Sequence, residues 1–191
     1  MTKIIKIHGC SGAGKTTAVR ELLPLLYPSG YHDGAKGYVG FVEGVENPVY
    51  VAGSYKSNCG GVDTINSAKE VMNLINFQVN AGSHVIYEGL LQSTYYGIMG
   101  EWSKQFGDRF IYAFLDTPVE LCLERVLARR KANDSKNKFD PQLTRDKWES
   151  IARLREKLLS GSLEQSSGKK HLVVDLRHEH PMLPQLLNLL Q

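Results

Sequence analysis

The sequence predicts an α/β fold in which a mostly parallel sheet is covered by helices. Two observations predict it. Short runs rich in β-branched residues alternate with stretches of helical spacing along most of the chain. The first such pair, Lys3–His8 and Thr17–Tyr27, encloses a glycine-rich loop. A length of 191 residues with 42% apolar side chains fits one domain with a real core, so residues 1–191 are read as a single domain.

That loop, Gly9-Cys10-Ser11-Gly12-Ala13-Gly14-Lys15-Thr16, is a complete Walker A motif. Its glycines let backbone N–H groups close around an anion, and the following helix adds its positive N-terminal end. Gly9, Ser11, Gly12, Ala13, Gly14, Lys15, Thr16 and Thr17 are the expected phosphate-binding residues, with Lys15 reaching the β/γ-phosphates and the Thr16 hydroxyl suited to Mg²⁺. The implied ligand is ATP with Mg²⁺. Cys10 is read as a small residue whose backbone does the binding.

The remaining elements follow in order. Pro28 to Gly40 is rich in glycine and polar residues and reads as a connection. Gly37–Glu43 and Pro48–Ser54 read as a hairpin turning at Gly44–Asn47. Thr64–Asn80 places Ile65, Ala68, Val71, Met72, Ile75 and Val79 on one helix face, and Gly82 stops it. His84–Glu88 is a strand, Ser93–Phe106 a helix and Arg109–Leu115 a strand. Thr117-Pro118-Val119-Glu120 reads as a capping box opening a helix to Lys131, followed by a polar mobile loop to Lys138. Asp140-Pro141 caps a helix with Leu143, Trp148, Ile151, Leu154 and Leu158 inward. Leu172–Leu176 is the last strand and Leu183–Leu190 a closing helix.

Several residues outside the loop carry candidate chemistry. Glu88 ends an apolar strand, the Walker B position, where a carboxylate can hold a metal-bound water or orient an attacking group. Asp63 follows Gly60-Gly61, and two readings stay open for it: a helix N-cap, or an acid aimed at an acceptor hydroxyl. Either Asp63 or Glu88 is the orienting group or base. Arg125 and Arg129 share a helix face at i, i+4 spacing, and with Arg130 run into the mobile loop, so they suit a lid that neutralises charge on a transferred phosphoryl group. Asn137-Lys138-Phe139-Asp140 matches a guanine-reading motif, but it follows a polar loop instead of an apolar strand.

Composition bounds the rest. Three cysteines without metal-ligand spacing point to a reducing compartment, and the six histidines form no metal constellation. His178-Glu179-His180 is expected in a solvated loop. A strand starting at residue 3 leaves no room for a signal peptide, and no apolar run approaches membrane-spanning length. The expected location is cytoplasmic (the host cytoplasm for a phage-encoded chain), without membrane association. Oligomeric state is left open. The net charge of +3 is modest, yet Arg125 to Lys157 holds eleven basic residues against five acidic, which suits a phosphate-facing lid or a polyanion-binding face.

Together these pieces resemble the P-loop kinases of small molecules and nucleotides. Phe114-Leu115-Asp116-Thr117-Pro118 through Glu124-Arg125-Val126-Leu127-Ala128-Arg129-Arg130 is similar to the strand-to-lid segment of the adenylate-kinase-like group. The resemblance implies a three-layer fold with a mostly parallel five-stranded sheet of order 2-3-1-4-5, an inserted β-hairpin and an Arg-rich lid at about 125–140. It also implies Arg125 near adenine and Arg129 on the ATP phosphates. One departure is informative: there is no arginine between Arg20 and Arg109, where monophosphate kinases clamp the acceptor's phosphate. The same region offers Tyr55, Asn58, Gln92 and Tyr95, which suit stacking on a base and bonding to its edge. Tyr50–Tyr55, Gly60–Ile65 and Tyr87-Glu88-Gly89-Leu90 further resemble the bacteriophage 5-hydroxymethyluracil DNA kinases. That resemblance implies phosphoryl transfer from ATP to a base hydroxymethyl group in DNA, with the basic segment holding the DNA backbone. Its rivals are a nucleoside or nucleoside-monophosphate kinase, and a nucleotide-dependent switch module.

Overall fold

The computed structural model describes residues 1–28, 30–57, 60–89, 101–102, 104–135, 138–161 and 172–191. The strands are β1 (Ile4–His8), β2 (Tyr31–His32), β3 (Gly37–Gly40), β4 (Val49–Ala52), β5 (His84–Glu88), β6 (Phe110–Leu115) and β7 (Leu172–Leu176). Among the described residues they form one sheet of seven strands in the order β2-β3-β4-β5-β1-β6-β7. The sheet is mixed: β4, β5, β1, β6 and β7 pair in parallel, whereas β2 with β3 and β3 with β4 are antiparallel.

Every residue of β1, β4, β5 and β6 is buried. That is the physical reason these runs read as nearly unbroken apolar stretches, since parallel strands are covered on both faces. The helices are α1 (Lys15–Leu22), α2 (Ala68–Asn80), α3 (Val119–Ala132), α4 (Pro141–Leu159) and α5 (Met182–Leu190). α1 packs on α5, α3 on α4, α2 against β4 and β5, and α4 against β7.

Several expectations are corrected. The sheet is wider than five strands, because the supposed connection after Pro28 contains β2 and the hairpin joins the main sheet through β4. α1 ends at Leu22 and gives way to a 3₁₀ turn over Leu23–Leu25, where Pro24 lacks the N–H an α-helix needs. α2 starts at Ala68, not Thr64: Ser67 caps it by accepting from the Glu70 N–H at 3.1 Å, and Val62–Thr64 forms a separate 3₁₀ turn. The Thr117 capping box does not form. Its hydroxyl instead donates to the Ala13 carbonyl at 2.8 Å, and Glu120 pairs with Arg145.

α4 is capped by Asp140, whose side chain accepts from the Gln142 N–H at 2.9 Å. Its inward face includes Thr144, Ile151, Leu154 and Leu158. Leu143 is 69% exposed and Trp148 36% exposed, so neither is a core residue. Most of the expected Ser93–Phe106 helix lies outside the described residues; 101–102 and 104–106 are helical, and Trp102 and Phe106 are buried. Asn137 of the guanine-type match also lies outside them. No helix among the described residues is long and apolar enough to cross a membrane.

Candidate active site

The sheet order fixes where a ligand can sit. The connection leaving β1 runs toward β4, whereas the one leaving β5 runs toward β6, and β1 and β5 are neighbours. Crevices in open α/β sheets lie at such reversals, beyond the carboxyl ends of the strands. The glycine loop leaves β1 there, and Glu88 ends β5 there, in register with Ile7.

A cavity of about 550 Å³ occupies that crevice, a size typical of small-molecule sites. Its walls include residues 11–17 of the loop, Arg20, Gly60, Asp63, Glu88, Arg125 and Arg129. Of the expected phosphate-binding residues only Gly9 is not in the wall; its carbonyl instead accepts from Lys15 Nζ at 2.8 Å. Lys15 Nζ also donates to the Cys10 carbonyl at 3.0 Å. Burial pushes the Lys15 ammonium down, and the nearby Glu88 carboxylate opposes that.

The loop is held from behind. Gly12 has φ +82°, and a Cβ there would meet the Cys122 carbonyl oxygen at 2.2 Å, so α3 packs where only glycine fits. Thr117 ties the Ala13 carbonyl, and Trp148 Nε1 donates to the Thr117 carbonyl at 3.0 Å. This connected strut runs from α4 to the phosphate loop.

Thr16 and Glu88 meet directly: the Thr16 hydroxyl donates to Glu88 Oε1 at 2.9 Å. Glu88 is 2% exposed, and burial raises its carboxyl above the usual range against the pull of Lys15. Hydroxyl, carboxylate and loop suit a Mg²⁺ ion that takes most of its ligands from phosphates and water. Among the described residues no group of three or more His, Cys, Asp or Glu side chains forms an all-protein cage, and that ion does not need one. A Cβ on Gly61 (φ +78°) would lie 2.2 Å from the Glu88 carbonyl and 2.8 Å from its Oε1, so the Gly60-Gly61 turn presses against this carboxylate. Asp63 follows in the 3₁₀ turn, exposed at the cavity wall, and does not cap α2. Asp63 and Glu88 thus share one cavity.

Arg125 and Arg129 both line the cavity, and Arg125 Nη1 lies 3.4 Å from the Gly12 carbonyl. The later basic residues are differently placed. Arg145 pairs with Glu120 at 2.7 Å, Arg153 with Glu149 at 3.3 Å, and Arg155 with Glu156 and Asp175. Much of the basic character of α4 is therefore spent on neighbours.

Of the expected acceptor residues, Tyr55 alone lies among the described residues. Tyr55 is 5% exposed, packs under Gly60 and is not part of the cavity wall. Asn58, Gln92 and Tyr95 lie outside the described residues. The profile of a protein family described as 5-hmdU DNA kinase matches residues 1–164. The chain belongs to the 5-hmdU DNA kinase family. Named relatives include a 5-hmdU DNA kinase of Pseudomonas phage M6, 34% identical over 176 residues, covering 83% of this chain and 86% of the relative. Another, of Pseudomonas phage PaMx11, is 32% identical over 161 residues, with 82% and 85% covered. A 5-hmdU DNA kinase 1 of Salmonella phage ViI is 25% identical over 152 residues, with 76% and 66% covered.

In this 5-hmdU DNA kinase family member, five placements escaped sequence reasoning. Arg20, one helical turn after Thr16, lines the cavity and donates to the Tyr55 carbonyl at 3.2 Å and to the Ser57 carbonyl. The i, i+4 spacing was its signal. His178 and Met182 line the cavity where a solvated loop was expected for His178. The His178 backbone N–H and ring nitrogen reach Asp116 Oδ1 at 2.7 and 2.9 Å; burial works the other way, yet these bonds hold the Asp116 carboxyl below its usual range. Lys6 is wholly buried in β1, and burial pushes its ammonium down to about 7 against the opposing Glu88. Its signal was a lysine interrupting an isoleucine-rich strand. Thr117 carried no signal beyond the capping-box pattern, which pointed elsewhere.

Proposed function

We propose that the chain transfers the γ-phosphoryl group of ATP to the hydroxymethyl oxygen of 5-hydroxymethyluracil in DNA. What supports this is a single cavity holding the glycine loop, the Thr16–Glu88 pair, Asp63 and two lid-side arginines, in a member of the 5-hmdU DNA kinase family. The fold reading that goes with it is a single three-layer P-loop kinase domain, with its parallel strands in the order β4-β5-β1-β6-β7 and its lid at about 125–140.

The hydroxymethyl oxygen attacks the γ-phosphorus, the new O–P bond forms, and the bond to the β–γ bridging oxygen breaks. ADP leaves with that electron pair. The loop N–H groups and Lys15 hold the β- and γ-phosphates. Thr16 with Glu88 would hold Mg²⁺, and its charge would offset that on the phosphate oxygens. Because Glu88 is engaged with Thr16 and buried, Asp63 takes the acceptor side. It aligns the hydroxyl and receives its proton; a loose transition state asks more for alignment than for basicity. Arg125 and Arg129 neutralise the moving phosphoryl charge.

A base inside a duplex reaches such a cavity only by leaving the stack. Asn58, Gln92 and Tyr95 belong to the acceptor side on this reading, while Tyr55 supports it from beneath. The missing arginine clamp between Arg20 and Arg109 argues against a free monophosphate as acceptor.

Labelled-phosphate transfer from ATP tests the reading across hydroxymethyluracil DNA, unmodified DNA, free nucleosides and monophosphates. Label on hydroxymethyluracil DNA alone is expected. Label on monophosphates alone would overturn the acceptor, and hydrolysis faster than any transfer would replace the kinase with a switch module.

A further inference from the structure

Lys6 stands in the middle of β1, a strand with every residue buried, and is itself 0% exposed. An ammonium taken out of water costs several kcal/mol unless it is well compensated. The phosphoryl-transfer steps above do not use it, and it does not line the cavity.

Its surroundings say what it does. Lys6 Nζ donates to the Gly89 carbonyl at 3.4 Å and stands 4.7 Å from the centre of the Tyr87 ring. Tyr87 and Gly89 are the residues on either side of Glu88, so one side chain braces both flanks of that carboxylate. Gly89 also underlies Asp63: a Cβ at Gly89 would lie 2.8 Å from Asp63 Oδ1. The two acids that meet the cavity therefore rest on the same short piece of backbone. The charged groups that bear on Lys6 are Glu88 at the end of β5, Lys15 on α1, Asp63 in the 3₁₀ turn and Lys147 on α4.

We infer that Lys6 is a positioning residue for phosphoryl transfer: it clamps the Tyr87–Gly89 segment from below and fixes Glu88 and Asp63 relative to the phosphate loop. The inference rests on the kinase reading. Lys6 touches neither nucleotide nor acceptor, so its loss affects turnover more than binding. A misplacement of the two acids by a fraction of an ångström is enough, because phosphoryl transfer here depends on alignment.

The test is Lys6→Met, nearly the same length without the charge. Transfer to hydroxymethyluracil DNA is measured with the parent first, then the variant, alongside thermal unfolding of both. The expected result is kcat lowered about tenfold to a hundredfold, KM for ATP changed less than about threefold, and a Tm equal to or above the parent's. Parental kcat in the variant overturns the inference. So does a loss of activity that merely follows a lower Tm, since that marks a structural lysine. Should Lys6→Met not fold, Lys6→Gln is read by the same criteria. A parent that transfers nothing to DNA defeats the kinase-on-DNA reading instead, and acceptor-independent ATP hydrolysis then supplies kcat for the same comparison.

Discussion

The two ends of the cavity are built in opposite ways. The end proposed for the donor is one continuous stretch, residues 11–17, shaped by its own glycines and the start of α1 and tied from behind by Thr117 and Trp148. The end proposed for the acceptor is assembled from distant pieces: the turn around Gly61 and Asp63 presses on Glu88-Gly89 at the end of β5, and Lys6 in β1 braces that segment from beneath the cavity. A motif contained in one turn of backbone keeps its anion-binding groups in one local segment and tolerates change at the far wall of the cavity. An arrangement held by contacts across the sheet does not. Substitutions at the donor end should therefore abolish binding or transfer while sparing the fold, and those at the acceptor end should couple activity to packing.

Lys15→Met is the strongest test of the donor side of this contrast. On the proposed mechanism Lys15 supplies charge to the transferred group, so transfer should fall about 10³-fold, as for removal of one transition-state donor. Far-UV circular dichroism should be unchanged. Retained transfer would remove the glycine loop from the mechanism.

Gly61→Ala probes the other end. Alanine must adopt φ +78° and place its Cβ 2.2 Å from the Glu88 carbonyl. Left-handed strain and overpacking together should cost about 3 kcal/mol in urea unfolding. Gly34→Ala, with nothing within 4 Å of its Cβ, is the control and should stay within about 0.5 kcal/mol of the parent. Equal costs at both glycines would show that the Gly60-Gly61 turn does not bear on Glu88.

Asp63→Asn separates the chemistry of the acceptor end from its packing. Asp63 is exposed and caps no helix, so stability should hold while kcat falls about 10²-fold. KM for ATP should be nearly unchanged. A lower Tm with normal kcat would return Asp63 to a structural role.

The same contrast explains what the sequence disclosed. Residues 9–17 were legible because the loop's chemistry is written in its own spacing, and the buried parallel strands were legible because both of their faces are apolar. β2 was missed because two residues leave no periodicity. The Thr117 pattern misled because a threonine before a proline suits an N-cap equally well; only the fold shows the Ala13 carbonyl within reach. Trp148 and Leu143 looked inward by spacing, yet the buried stripe of α4 runs through Thr144, Ile151, Leu154 and Leu158. Lys6, Gly61 and Gly89 meet across three segments, and no local rule places them together.

The smallest expected effect is the most specific to the acceptor end. Burial pushes the Lys6 ammonium down to about 7 in the folded protein, from an ordinary 10.5. Between those two values the unfolded chain holds a proton that the folded chain has released, so the parent gains stability as pH rises. Below about 7 both states are protonated and the burial penalty is constant; above 10.5 both are neutral and it is gone. Lys6→Met lacks this dependence. The stability of the variant relative to the parent should be greatest below pH 7 and should decline by about 1.4 kcal/mol for each pH unit above it, a Tm difference of about 4 °C between pH 8 and 9. Slopes from groups that do not interact with Lys6 cancel in the difference, so thermal unfolding of the nucleotide-free pair reads Lys6 together with Glu88, whose carboxyl feels its charge. A difference that stays flat with pH would mean that Lys6 keeps its proton in the folded state, its charge fully balanced by Glu88 and Asp63, and the clamp beneath the two acids would then be an ion pair through the whole working range.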